Sequence, residues 1–134
     1  MNNFMLYCKD FEKYKNSQKW IIFDNGRKIT ITAIRNENTY SWDGYIETNI
    51  NNIYIVDVLN EIAHGGIIYM DDNKLGFGFG QYNDYKPKYE ELGYYKQYFS
   101  KEKIENFTYW TFPDVKNELE KIASYYKMGE PVSS

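Results

Sequence analysis

The residues best suited to covalent or acid–base chemistry in this 134-residue chain are its single histidine, His64, and its single cysteine, Cys8. Histidine often serves as a general acid or base, and the nearby Glu61 would form a pair with His64. A nucleophilic Cys8 would need His64 close by and a lowered thiol pKa. The spacing establishes neither condition, and His64 stands where a helix is expected to end. We therefore interpret His64 as a structural, helix-terminating residue and Cys8 as a small buried apolar residue.

Two short motifs resemble ligand-binding loops but lack essential positions. Residues 71–82 begin like a calcium loop, but Leu75 and Tyr82 occupy positions that require an oxygen ligand and a bidentate glutamate. The sequence GFGFG within this segment lacks both the G-x-G-x-x-G order and the following helix of a dinucleotide-binding loop. The spacing of cysteine and histidine does not suit zinc. The sequence therefore predicts no metal site and no cofactor.

Acidic and aromatic residues occur together in the middle of the chain. Residues 36–84 contain eight acidic residues and one lysine, and tyrosine occurs 15 times in the whole chain. Tyrosine and tryptophan are favoured anchors in protein interfaces, and complementary charge speeds the encounter of two proteins. The residues predicted to bind a partner are Tyr40, Trp42, Asp43, Tyr45, Glu47, Asp71, Asp72, Tyr82, Asp84 and Tyr85.

The overall charge and hydropathy disfavour several classes of partner. The net charge is −3, whereas binding to nucleic-acid phosphates favours a basic protein. No apolar run approaches the roughly 20 residues that span a bilayer, and the first ten residues do not resemble a secretory signal. We expect a cytoplasmic protein that binds neither nucleic acid nor membrane. The richness in Asn, Lys, Tyr and Ile is typical of an AT-rich bacterium or its phage.

The first predicted element is a β-hairpin over residues 20–33. Asn25-Gly26 favours the type I′ turn that joins two adjacent strands directly. The resulting register pairs four apolar residues on one face, Trp20 with Ile31 and Ile22 with Ile29. That face is expected to pack on the core, while the other face is only half apolar. Further along, Gly44 marks either a second tight turn or a bulge.

A second hairpin is predicted around a turn at Asp72-Asn73. It pairs residues across the two strands as follows: Met70 with Leu75, Ile68 with Phe77, Tyr69 with Gly76 and Ile67 with Gly78. A large ring laid across a strand glycine covers exposed backbone, so Tyr69 would shield Gly76. The glycine-rich segment 76–80 is therefore interpreted as an inner strand with one bare face, approached by a helix, a neighbouring strand, a ligand or the backbone of a partner.

Two main helices are predicted, over residues 53–63 and 112–128. Asn51 or Asn52 would cap the first, and Gly65-Gly66 would end it. Thr111 and Asp114 form the capping box of the second. Between them, residues 94–99 are interpreted as a strand, and Ser100 as the cap of a short helix. Residues 130–134 are expected to fray.

Together these patterns predict a single α+β domain spanning residues 1–134, with an antiparallel sheet of about four to six strands and both helices on one face. The leading functional hypothesis is an inhibitory protein of the toxin-immunity or anti-defence type, which occludes the active surface of a basic effector. An alternative is a small-molecule-binding module with a tyrosine-lined pocket that opens onto the glycine strand. A third is a small enzyme that uses His64 or an acidic pair such as Asp43 with Glu47.

Overall fold

The computed structural model describes residues 2–24, 26–48 and 53–126. Its strands are β1 (Ser17–Asp24), β2 (Arg27–Arg35), β3 (Trp42–Glu47), β4 (Ile67–Met70) and β5 (Lys74–Gly78). Its helices are α1 (Asn3–Tyr14), α2 (Ile53–Ile62), α3 (Pro87–Glu91), α4 (Tyr94–Tyr98), α5 (Lys101–Glu105) and α6 (Phe112–Ser124). The five strands form one antiparallel sheet in the order β1-β2-β3-β5-β4, so the predicted α+β fold is confirmed.

The register of the first hairpin agrees with the sequence prediction. Trp20 pairs with Ile31 and Ile22 with Ile29, and both β2 isoleucines are fully buried. Phe23 points to the other face and remains 72% exposed. Because side chains alternate between the two faces of a strand, the turn position alone decides which residues enter the core.

The second hairpin places the glycine-rich strand inside the sheet, as predicted. β5 lies between β3 and β4, with Tyr69 opposite Gly76 and Met70 opposite Leu75. A register shift between Ile67 and Tyr69 makes Ile67 the partner of Phe77, so the predicted partners of Ile67 and Ile68 are wrong. A bulge adds one residue to β4, which the turn chemistry does not reveal.

Helices α2 and α6 pack on the same face of the sheet. Leu59 of α2 and Val115, Leu119 and Ile122 of α6 share one buried cluster with the inward side chains of the central strands. The predicted capping box of α6 is present, and the helix ends at Ser124. Tyr125 is its C-cap, so the helix ends before the predicted residue 128. Residues 127–128, the tail 130–134 and the proposed caps Asn51 and Asn52 lie outside the described residues.

Gly44 lies inside β3 and is neither a turn nor a bulge. A Cβ atom at this position would lie 2.5 Å from both δ carbons of Leu119. Non-bonded carbon atoms do not approach so closely without a shift, so the missing side chain is what lets α6 sit against the centre of the sheet.

Residues 94–99 contain a helix rather than the predicted strand. α4 begins after Gly93, which has a φ of +78°, and α5 begins at Lys101, directly after the predicted cap Ser100. In α4 the Tyr95 ring contacts the ring of Phe99 four residues later, as Tyr94 contacts Tyr98. These contacts need helical spacing, and they outweigh the intrinsic preference of aromatic residues for strands.

Helix α1 was not predicted from the sequence. Its inward side chains Tyr7, Asp10, Phe11 and Tyr14 recur every three or four residues, a spacing that identifies a helix. Cys8 falls outside this stripe and is exposed, which corrects its interpretation as a buried residue. Together with α3, α4 and α5, α1 encloses a second aromatic cluster around Tyr85, Tyr95, Phe107 and Tyr109.

Candidate functional site

One face of the sheet carries no described helix. The helices that pack on the sheet meet the face bearing Ile31, Ile46 and Phe77. On the opposite face, which we call the open face, Ile21, Ile34 and Tyr69 remain between 42% and 48% exposed. Side chains on this face are therefore available for contact with a partner.

Acidic and aromatic side chains come together on the β3–β5–β4 side of the open face. The register places Tyr45 beside Gly76 and Tyr69, and Glu47 beside Lys74. The rings of Tyr45 and Tyr69 are edge-to-face, with centroids 6.0 Å apart. We define the acidic patch as Asp43, Tyr45, Glu47, Tyr69 and Asp71, together with Asp72, which follows Asp71 in the exposed turn between β4 and β5.

Short contacts hold the members of the acidic patch in place. The Tyr69 hydroxyl donates to Asp71 Oδ2 at 2.9 Å, and the Lys74 Nζ lies 3.3 Å from Glu47 Oε1. The Lys74 ammonium also lies 5.7 Å from the centroid of the Tyr45 ring. Lys74 therefore offsets one of four carboxylates, and the patch stays acidic.

Two carboxylates of the patch differ in their electrostatic surroundings. Burial raises the pKa of Asp43, although a hydrogen bond from Asn36 Nδ2 at 3.0 Å partly opposes this. Hydrogen bonds from the Asn73 backbone and the Tyr69 hydroxyl lower the pKa of Asp71. Asp71 is therefore the more firmly ionised of the two at the acidic end of the pH range.

The bare side of the glycine strand is covered by two tyrosines of the patch and by Gln81. A Cβ atom at Gly76 would lie 2.8 Å from Tyr45 Cε1 and 2.9 Å from Tyr69 Cβ. At Gly78 it would lie 2.8 Å from Gln81 Nε2. The glycines thus allow the two tyrosines to lie low on the sheet, and side chains of this chain are what approaches them.

Several predicted partner-binding residues do not belong to this surface. Trp42, Asp84 and Tyr85 are at most 2% exposed, so they cannot serve as surface contacts and the prediction is corrected for these three. All three side chains lie in the interior of the protein. The composition of the sequence cannot tell aromatic and acidic residues that become buried from those that form an interface.

Tyr40 and Tyr82 lie elsewhere on the molecule. Tyr40 stacks on Tyr7 with centroids 6.2 Å apart, and the exposed Tyr82 accepts a hydrogen bond from Lys103 Nζ. Conversely, Tyr69 belongs to the patch and was not among the predicted residues. The sequence predicted Tyr69 opposite Gly76, and the structure places Tyr45 opposite the same glycine from the other side.

A buried charged network joins α1 to the sheet. Asp10 Oδ2 accepts hydrogen bonds from Arg35 Nη2 at 3.0 Å and from Trp42 Nε1 at 2.9 Å, and Oδ1 accepts from the Phe112 backbone at 2.8 Å. The Tyr109 hydroxyl bonds both Asp10 and Arg35, and burial raises its pKa above its usual range. Every partner is satisfied within the core, so the network is structural.

His64 pairs with Asp84 rather than Glu61, and the Asp84 side chain is buried whereas that of His64 is 32% exposed. The His64 Nε2 lies 2.7 Å from Asp84 Oδ2, which also accepts a hydrogen bond from the Gln81 backbone at 2.8 Å. Asp84 Oδ1 accepts from Trp110 Nε1 at 3.1 Å, and the His64 and Trp110 rings lie 4.5 Å apart. The pair fastens the turn after α2 to the segment before α3.

Neither the described residues nor known proteins add a further indication of function. Among the described residues, no group of three or more His, Cys, Asp or Glu side chains is arranged to hold a metal ion. No helix in the same residues is long and apolar enough to cross a membrane. No protein-family model matches the chain, and no curated protein or solved structure shows significant similarity to it.

Proposed function

We propose that this protein is an inhibitory binding protein that docks its acidic patch on a basic effector, of the toxin-immunity or anti-defence type, and occludes that effector's active surface. The observation that carries the proposal is the convergence of Tyr45, Tyr69, Glu47 and Asp71 on the one sheet face that no described helix covers.

The chemistry of the patch suits a basic protein surface. Carboxylates accelerate the encounter with a partner of opposite charge, and salt weakens that effect. The rings of Tyr45 and Tyr69 are held against glycine backbone and against each other, so little side-chain entropy is lost when a partner covers them. Anchors of this type contribute roughly 2 kcal/mol or more each when they lie at the centre of an interface.

The proposal is tested by capture from a lysate of the source cell with matched charge variants. Glu47→Lys/Asp72→Lys reverses two carboxylates of the patch, whereas Glu12→Lys/Glu91→Lys makes the same change of charge on exposed positions of α1 and α3. We expect the wild type and the α1/α3 variant to retain one basic protein. The patch variant should not retain this protein, and moderate salt should weaken its binding to the wild type.

Capture must be followed by a functional assay, because retention by itself does not show inhibition. The purified partner should lose its own activity on addition of one equivalent of the wild-type protein, and should keep it with Glu47→Lys/Asp72→Lys. The proposal fails if both charge variants capture alike, if nothing basic is captured, or if the partner stays fully active in the complex.

A further inference from the structure

We propose that the open face is also the contact surface of a homodimer, in which a second copy of this chain lies face to face on the sheet. The observation behind this inference is that the two halves of the open face carry opposite charge. The β1–β2 half is basic, whereas the β3–β5–β4 half carries the acidic patch. A surface that bears the two signs on separate sides is complementary to itself when a second copy is turned over onto it.

The basic half owes its charge to two lysines, Lys19 of β1 and Lys28 of β2. Both are exposed, and the register places them on the open face, Lys19 opposite Thr32 and Lys28 opposite Phe23. Neither ammonium forms an ion pair with a described residue. Asp24 is the single carboxylate of these two strands, and it points to the other side of the sheet because side chains alternate along β1. This half therefore carries uncompensated positive charge.

The other half is acidic and lies beside it on the same face. The register continues across the sheet from Thr30 to Glu47 and from Glu47 to Lys74. Lys74 is the one lysine that accompanies the four carboxylates of the acidic patch, so this half keeps an excess of negative charge. The boundary between the two signs runs along the sheet between β2 and β3.

The charge pattern selects one arrangement of the two copies. A two-fold axis that runs along β3, between the two sheets, lays β1 and β2 over β4 and β5 of the other copy, so each basic half meets an acidic half. Lys28 and Asp72 lie at the same end of the sheet, each two residues before a member of the row that joins Thr30 to Lys74, so this rotation brings them together. An axis across the strands would instead lay β1 over β1, where like charges would meet. Glu47 lies near the favoured axis, and Lys74 already offsets its charge at 3.3 Å.

Apolar side chains on both halves supply contact area. Ile21 and Phe23 in the basic half, and Ile68 and Tyr69 in the acidic half, are between 46% and 72% exposed. A standard interface buries about 800 Å² on each partner, whereas five strands about 4.8 Å apart and about six residues long cover roughly 480 Å² in projection. The contact is therefore small, and we expect a dimer that dissociates on dilution.

The dimer is inferred from this chain alone and does not rest on the proposed effector. Both would cover the acidic patch, so a second copy and a basic effector exclude each other. The oligomeric state of the purified protein tests the dimer, whereas capture from a lysate tests the effector. The failure of one proposal therefore leaves the other standing.

The test is an exchange of charge between two variants, followed by sedimentation velocity. Glu47→Lys/Asp72→Lys removes the negative excess of the acidic half, and Lys19→Glu/Lys28→Glu makes the basic half acidic. Over about a hundredfold range of concentration, we expect the wild type to rise from the monomer mass of 16.1 kDa towards twice that mass. Each variant alone should self-associate at least about tenfold more weakly. An equimolar mixture of the two variants should restore the dimer, because each then offers the charge that the other lacks.

The matched controls make the same changes of charge on exposed positions of the helices. Glu12→Lys/Glu91→Lys and Lys101→Glu/Lys116→Glu should dimerise like the wild type. Salt should dissociate the wild-type dimer, a readout that needs no variant, and circular dichroism checks that each variant is folded.

Three results would overturn the inference. The first is a wild type that stays monomeric throughout, which would leave the open face to a different partner. The second is a dimer that persists in high salt or in the two folded open-face variants, because it would use another surface. The third is an equimolar mixture of those folded variants that stays monomeric.

Discussion

At the scale of single residues, Arg35 connects several separate segments of the chain. Its Nε donates to the Lys15 carbonyl and its Nη1 to the Tyr40 carbonyl, both at 3.1 Å. Lys15 and Tyr40 are the residues other than glycine with positive φ among those described, at 59° and 63°. Arg35 therefore fixes two strained turns as well as neutralising Asp10.

The guanidinium geometry of Arg35 leads to a stability prediction. Arg35→Met should lower the free energy of unfolding by about 3–5 kcal/mol, because it leaves the buried Asp10 carboxylate without its counter-charge. Arg35→Lys should recover only part of the loss, since one ammonium cannot reach all the acceptors of a planar fork. Urea denaturation measures both values.

The control for Arg35 is Lys28→Met on the same strand, where the side chain is exposed. Its effect should stay within about 0.5 kcal/mol. A loss below about 1 kcal/mol for Arg35→Met would show that the network contributes little, and the two positive-φ residues would then need another explanation.

At the scale of elements, the contact of α6 with β3 depends on the absence of a side chain at Gly44. Gly44→Ala should destabilise the protein by about 1–3 kcal/mol, because the new Cβ would overlap the δ carbons of Leu119. In a Leu119→Ala background the same substitution should cost far less, since the overlapping atoms are gone. The two costs come from urea denaturation of the four proteins.

Equal costs of Gly44→Ala in the two backgrounds would argue against steric overlap. The loss would then reflect the strand conformation at residue 44 rather than the approach of α6. A coupling energy that accounts for most of the single-variant cost supports the packing argument.

Elements whose ends are set by turn or capping residues were predictable from the sequence. Elements stabilised by contacts between residues far apart in the sequence were not. The turn at Gly26 set the first hairpin register, and Thr111 with Asp114 set the start of α6. By contrast, α4 depends on aromatic contacts within a helix that only the second cluster stabilises. The carboxylates of the acidic patch were predicted from the sequence. Trp42 was wrongly predicted to bind a partner, because its burial depends on a hydrogen bond to Asp10, which lies 32 residues away in the sequence.

At the scale of the whole molecule, the two hydrophobic clusters differ in how they are built. The central strands β2, β3 and β5 are hydrogen-bonded on both sides, whereas α3, α4 and α5 have five residues each. Helices this short are unstable in isolation, so the aromatic cluster around Tyr95 must hold them in place.

This difference predicts unequal hydrogen exchange across the chain. Amides of α4 and α5 should exchange at least about tenfold faster than those of β3, because the helical segment can open without unfolding the sheet. Native-state hydrogen exchange followed by NMR measures the ratio. Uniform protection would instead indicate that both clusters unfold as one cooperative unit.

The exposed thiol of Cys8 makes these surfaces accessible to spectroscopy. Cys8 is the single cysteine of the chain, and it lies on α1 in the helical layer, away from the open face. A maleimide dye would therefore attach at one known position without an engineered cysteine. The fluorescence anisotropy of the labelled protein would then report the size of any complex formed on the opposite side of the sheet.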